Sequence, residues 1–282
     1  MPDPLTEVFC TGSGVGFVGN SERRNVKQFI RNRHGQRVCV VQEGSVTPGA
    51  LAFVMHGLSG DKTELHIRAM AEAFLESGYT VVTFDTTNTF GESDGQFEDA
   101  TLTGYYQDLE DVVSWASRQE WYVEPFVLAG HSVGGICIGL FAQRFPHRVK
   151  GLAPISTVVS GDLTLKTPLG DPRERYLDEW RRDGYLITGE RNGVPERLKW
   201  ACMEDRLQYS LIPDADKLVM PVLMSVGSED DISPVAHQQI LFDLLPEPKE
   251  FHLIGGATHI FEKSSQREEL KAITKTWITT LP

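Results

Sequence analysis

No stretch of the 282-residue chain approaches the roughly 18 consecutive apolar residues that a membrane-spanning helix requires. The first residues, MPDPLTEVF, carry two prolines and two acids. A secretory leader needs a basic start and an apolar stretch there, so the cytoplasm is the expected setting. Cysteine is scarce and scattered: Cys10, Cys39, Cys137 and Cys202 show no CxxC spacing and read as structural thiols. No His/Cys/Asp cluster has metal-ligand spacing, and neither a metal nor a cofactor is expected. Basic residues are in deficit, with 27 Lys and Arg against 39 Asp and Glu, a formal charge of −12. Such a surface repels phosphate backbones and anionic lipid, which excludes nucleic-acid and membrane partners. There is no internal repeat and no low-complexity linker. The glycine-rich stretch GSGVGFVG (12–19) lacks the preceding strand and following apolar helix of a dinucleotide loop, and reads as a flexible lead-in.

What is present is a globular composition, 40% hydrophobic and 23% charged, with enough apolar residues for a large core. Residues 25–32 and 37–42 read as two strands around an Arg33-His34-Gly35-Gln36 turn. The rhythm then changes to continuous apolar runs, the pattern of strands buried on both faces. These are LAFVMH (51–56), YTVVTFD (79–85), PFVLAG (125–130), VKGLAPIS (149–156), LVMPVLMSVG (218–227) and EFHLIG (250–255). Helical stretches at about 62–77, 104–119, 133–145, 234–245 and 261–279 fall between or after them. Alternation of this kind predicts an α/β fold, a mainly parallel sheet with helices on both faces and an antiparallel edge from the opening hairpin. More than sixty residues separate Ser156 from Leu218, far more than one crossover needs. Asp171-Pro172 is a good helix start, and a second helix is expected from about Pro195 through Gln208. The expected organisation is a core of 1–156 and 214–282 with an inserted cap over 157–213.

Gly130-His131-Ser132-Val133-Gly134-Gly135 follows a buried strand and opens a helix of small residues. G-x-S-x-G in that setting is a tight strand-to-helix turn that lifts the serine hydroxyl clear of the sheet. A second match, Gly91-Glu92-Ser93-Asp94-Gly95, lies in a polar loop and reads as a turn only. Downstream come an acid-bearing loop, Gly227-Ser228-Glu229-Asp230-Asp231-Ile232-Ser233-Pro234, and then Gly255-Gly256-Ala257-Thr258-His259. The order Ser, acid, His is that of a nucleophile, an orienting carboxylate and a general base. Asp230 and Asp231 both qualify as the acid, with Glu229 a weaker third. His259 would take the Ser132 proton and pass it to the leaving group, so activity should fall on the acid side as the imidazole protonates. The developing oxyanion needs two N–H donors. Val133, next to the nucleophile, supplies one, and Leu58 in His56-Gly57-Leu58-Ser59-Gly60 is the choice for the other.

HGLSG, GHSVGG, GSEDDISP and GGATHIF together resemble the signature segments of α/β-hydrolase esterases. With FDTTNTFGESDG, they are similar to the cinnamoyl/feruloyl esterase-like and serine-aminopeptidase-like branch, over about residues 26–282. The resemblance implies the α/β-hydrolase fold and a Ser132–Asp230–His259 triad, and maps the triad acid to Asp230 and the oxyanion donor to Leu58. It departs at Thr87-Asn88-Thr89-Phe90-Gly91, where relatives often carry an Arg-Gly-His-Gly-type run, so it does not extend to substrate preference.

The remaining candidates divide between packing and binding. His131 and His56 read as structural, His56 ordering the oxyanion loop. His66, His147, His237 and His252 read as surface or packing residues. Tyr176 and Trp180, four apart on a predicted helix, and Trp200 either pack the cap or line an apolar acyl or aryl pocket. The expected activity is a cofactor-free serine carboxylesterase acting on small to medium acyl or aryl esters. Thioester, amide, peptide and carbon–carbon bond hydrolysis use the same machinery, and a non-catalytic binding protein is the rival from another class. The expected partner is a small-molecule ester, and a homodimer stays open.

Overall fold

A computed structural model describes residues 23–45, 49–165, 171–191 and 194–282, with only the backbone of residues 23, 171–176, 191 and 194. The lead-in with its GSGVGFVG stretch, and Cys10, lie outside the described residues. β1 (Arg23–Arg31) and β2 (Arg37–Ser45) form the antiparallel hairpin expected from the turn between them. The parallel strands are β3 (Leu51–Met55), β4 (Thr80–Phe84), β5 (Phe126–His131), β6 (Val149–Ile155), β9 (Val222–Gly227) and β10 (Lys249–Ile254). They build one eight-stranded sheet in the order β1-β2-β4-β3-β5-β6-β9-β10. β2 meets β4 antiparallel, so the hairpin caps one edge.

Each central strand is buried along its whole length because both faces carry helices. In β3, Leu51, Phe53 and Met55 point into one core with α2 (Leu102–Ala116) and α3 (Val133–Arg144). The intervening Ala52 and Val54 point into the other, with α1 (Leu65–Glu76) and α8 (Ser264–Ile278). The two-residue side-chain period of a strand thus divides one apolar run between two cores. α1 and α8 are further bridged by Lys271 to Glu72 at 3.0 Å and Lys275 to Glu76 at 2.8 Å. The fifth parallel strand starts at Val222, not Leu218: Leu218 closes a 3-10 turn and Pro221 precedes the ladder. Among the described residues, no helix is long and apolar enough to cross a membrane.

Between β6 and β9 the chain makes an excursion whose two ends meet. Ser160 bridges Ser210, the Leu211 N–H donates to Val159 O at 2.9 Å, and the Gly161 N–H donates to Tyr209 O at 3.0 Å. The excursion holds α4 (Gly161–Leu165), α5 (Asp171–Asp183), an antiparallel hairpin of β7 (Tyr185–Arg191) and β8 (Val194–Lys199), and a short α6 (Ala201–Arg206). This corrects the expected helix over Pro195–Gln208. Pro195 and Leu198 fall in β8, and only the 201–206 portion is helical. Pairing with β7 wins over a sequence whose apolar residues are too sparse to define one helical face. The excursion is fastened to the core by Lys199 to Asp99 at 2.5 Å and by the Thr103 N–H donating to Asp205 at 2.9 Å. α7 (Val235–Leu244) completes the described helices.

Candidate active site

Ser132 stands between β5 and α3 with φ 54° and ψ −115°, a conformation that side chains other than glycine rarely adopt. Its neighbours permit the turn. A Cβ on Gly130 would lie 2.7 Å from Gly134 O, and one on Gly134 would run into the His56 carbonyl. The backbone is clamped on both sides. Ser132 N–H donates to Ile155 O at 3.0 Å, and Ser132 O accepts from Gly135 N–H at 3.0 Å and Val158 N–H at 3.1 Å. Ser59, Ser156 and Phe261, at φ 60°, 44° and 54°, share the strained region and lie in or beside the loops around Ser132.

Asp230 and His259 come together from the loops after β9 and β10. The imidazole Nδ1 lies 2.9 Å from Asp230 Oδ2 and 3.1 Å from Oδ1. Oδ1 also accepts the Ile232 and Ser233 N–H groups at 3.0 and 2.8 Å. Burial alone would raise the Asp230 carboxyl. The hydrogen bond to His259, that group's charge and the Ser233 N–H outweigh it and hold the carboxyl below its ordinary value. Asp231 and Glu229 are exposed, and among the described residues Asp230 is the one of the three acids hydrogen-bonded to the imidazole.

The 56–60 loop lies against the serine: a Cβ on Gly57 would be 3.0 Å from Ser132 Cβ. His56, fully buried, sets the loop's orientation. Its Nε2 accepts the Thr86 N–H at 3.0 Å, so Nδ1 carries the hydrogen and donates to Gly57 O at 2.7 Å. Burial lowers the affinity of this imidazole for a second proton and keeps it in that one tautomer. In a trans peptide, a carbonyl held toward His56 turns the Leu58 N–H the opposite way. Among the described residues, neither the Leu58 nor the Val133 N–H has a hydrogen-bond acceptor. The two donors expected from sequence are thus uncommitted, beside the serine.

Sequence reasoning missed the ion network beneath this loop. Lys62 Nζ lies 2.6 Å from the buried Asp85 Oδ2 and 2.9 Å from Glu92 Oε1, while Asp85 Oδ1 accepts the Lys62 N–H at 2.9 Å. Burial would lower the Lys62 ammonium, but its two carboxylates raise it, and Glu92 is drawn down to about 2 by Lys27 and Lys62. An aspartate ending a buried strand, with a lysine just past HGLSG, was the available signal. Cys39, Asp85 and Glu92 are close enough together to hold a metal ion, but Lys62 already occupies both carboxylates; burial lifts the Cys39 thiol to about 11. Ser93, in the second G-x-S-x-G, donates to Asp85 O at 2.7 Å and accepts the Cys39 N–H at 2.8 Å, a loop-fastening part. Cys39, Cys137 and Cys202 are free and buried.

Of the aromatic candidates, Trp180 is buried and its indole N–H donates to Leu198 O at 3.0 Å. Its ring meets Trp200 edge-on at 5.3 Å, and Arg181 covers Trp200 at 5.0 Å. These contacts join α5 to the hairpin. The side chain of Tyr176 lies outside the described residues.

A strained serine after a parallel strand, an Asp–His pair on later loops and a free-donor loop are the arrangement of one fold family. The family model described as "alpha/beta hydrolase fold" matches residues 53–198, just over half of the chain. The chain belongs to the α/β-hydrolase fold family. It is 23% identical over 269 residues to a 31.7 kDa Escherichia coli protein of the traX-finO intergenic region, covering 84% of this chain and 92% of that one. It is 25% identical over 215 residues to a thermostable monoacylglycerol lipase of Bacillus sp., covering 74% and 82%. Among solved structures, Est1E from Butyrivibrio proteoclasticus with bound ferulic acid superposes with a TM-score of 0.77 at 21% identity, covering 90% and 98%.

Proposed function

We propose that this protein is a serine carboxylesterase acting on small to medium acyl or aryl esters. The observation that carries the reading is the Asp230–His259 hydrogen bond at 2.9 Å, on loops converging on a serine held at φ 54°. In the proposed cycle His259 Nε2 takes the Ser132 hydroxyl proton as Oγ attacks the ester carbonyl. The Leu58 and Val133 N–H groups receive the oxyanion, and collapse expels the alcohol with the proton from His259. Water, deprotonated by His259, then releases the acid from Ser132. Asp230 holds the imidazole with Nδ1–H toward itself, in keeping with its depressed carboxyl. The 157–213 excursion serves as the cap, with Trp180 and Trp200 packing it rather than touching substrate. Similarity to a monoacylglycerol lipase supports an ester substrate.

The test is hydrolysis of p-nitrophenyl esters of rising acyl length and of methyl ferulate, with Ser132→Ala alongside. The proposal expects turnover that disappears in the variant. Turnover of acyl thioesters with none of oxygen esters would replace it with a thioesterase reading.

A further inference from the structure

His131 fills the variable position of the Gly130–Gly134 turn, and its side chain is buried where three loops meet. Its Nε2 lies 2.8 Å from the main-chain O of His259. A carbonyl oxygen only accepts, so Nε2 carries the hydrogen and Nδ1 is bare. Burial, with the neighbouring imidazoles of His66 and His259, holds its pKa well below the ordinary histidine value. The ring is therefore neutral in this one tautomer. Its centroid is 4.6 Å from that of His259 and 4.2 Å from that of His66 on α1. On the Nδ1 side lies the oxyanion loop, where a Cβ on Gly57 would be 3.0 Å from Nδ1. Among the described residues, the His131 N–H is the one hydrogen-bond donor to His259 O.

Asp230 fixes the direction of the His259 ring but not the height of its loop over the serine. The loop's main chain is tied to the nucleophile turn through the side chain adjacent to Ser132. We infer that His131 is a positioning residue for the proposed reaction, joining the Ser132 turn to the His259 main chain so that the base stays in register with the hydroxyl. The inference rests on the serine-hydrolase reading. Small displacements of a catalytic base lower the rate without weakening substrate binding, since they act on the reacting geometry alone.

Two variants of the full chain test it: His131→Leu, similar in volume with no donor, and His131→Gln, whose amide N–H can reach the Nε2 position. Each is assayed for p-nitrophenyl acetate kcat and KM and for its Tm. His131→Leu should lose about tenfold or more in kcat with KM nearly unchanged, the loss expected from one hydrogen bond. His131→Gln should recover most of that loss. A His131→Leu enzyme with wild-type kcat overturns the inference and leaves the esterase reading standing. So does equal impairment of both variants in step with lowered Tm, which would make His131 a packing residue only. The imidazole ¹⁵N spectrum of the wild type gives a readout independent of turnover: His131 should show the neutral Nε2–H form, and the Nδ1–H form overturns the inference. A wild type with the Nε2–H form that hydrolyses none of the esters removes the reaction, and the role falls with it.

Discussion

His66 makes the stability of this fold depend on pH in a way that can be worked out in advance. The side chain is buried on α1, and its Nε2 has no hydrogen-bond partner; the Glu64 carboxylate, at 3.7 Å, is beyond hydrogen-bond reach. Burial first, then the charges of His259, His56 and Arg267, lower its pKa to about 3. In the unfolded chain the same imidazole takes a proton below about pH 6.5. Between those values the unfolded state binds more protons than the folded one, so stability falls as pH falls. At about pH 5, roughly 1.5 units below the unfolded pKa, His66 alone should remove about 2 kcal/mol relative to pH 7.5. His56 and His131 act in the same direction and remain in a His66→Leu variant. Urea unfolding, followed by tryptophan fluorescence at the two pH values, measures the difference. The wild type should lose about 2 kcal/mol more on acidification than His66→Leu. Equal losses would mean that His66 titrates in the fold as it does in the open chain, and the burial argument would fail.

Other substitutions probe the site and its support. Asp230→Asn keeps the loop but removes the charge that orients His259, and kcat should fall by about 10³–10⁴ while Asp231→Asn stays near wild type. Comparable losses in both would undo the assignment of the acid. Lys62→Met leaves the Asp85 carboxylate buried without its ammonium and should destabilise by about 3 kcal/mol or more in urea unfolding. Lys62→Met combined with Asp85→Asn should recover part of that, and an unchanged midpoint in the single variant would show the pair to be unimportant.

The parallel strands were legible because a strand covered on both faces needs an unbroken apolar run, and few other settings call for one. The nucleophile turn was legible for a steric reason: two of its positions touch other backbone and exclude a Cβ. The acid was legible only through the family resemblance, since Asp230 and Asp231 are equivalent in composition and differ only in which one the loop turns toward His259. Residues 195–199 were misread as the start of a helix because they alternate only weakly, and it is their pairing with the preceding strand of a local hairpin that makes them a strand. Lys62 and Asp85 went unread for a related reason: they are 23 residues apart, and a buried ion pair leaves no periodic trace.

The central claim, that Ser132 is an activated nucleophile, is tested most directly by treating the protein with a fluorophosphonate and locating the adduct by peptide mass spectrometry. A single phosphonylated site at Ser132, lost in His259→Ala as well as in Ser132→Ala, is the predicted result. Labelling that survives in Ser132→Ala, or a wild type left unlabelled, would contradict it.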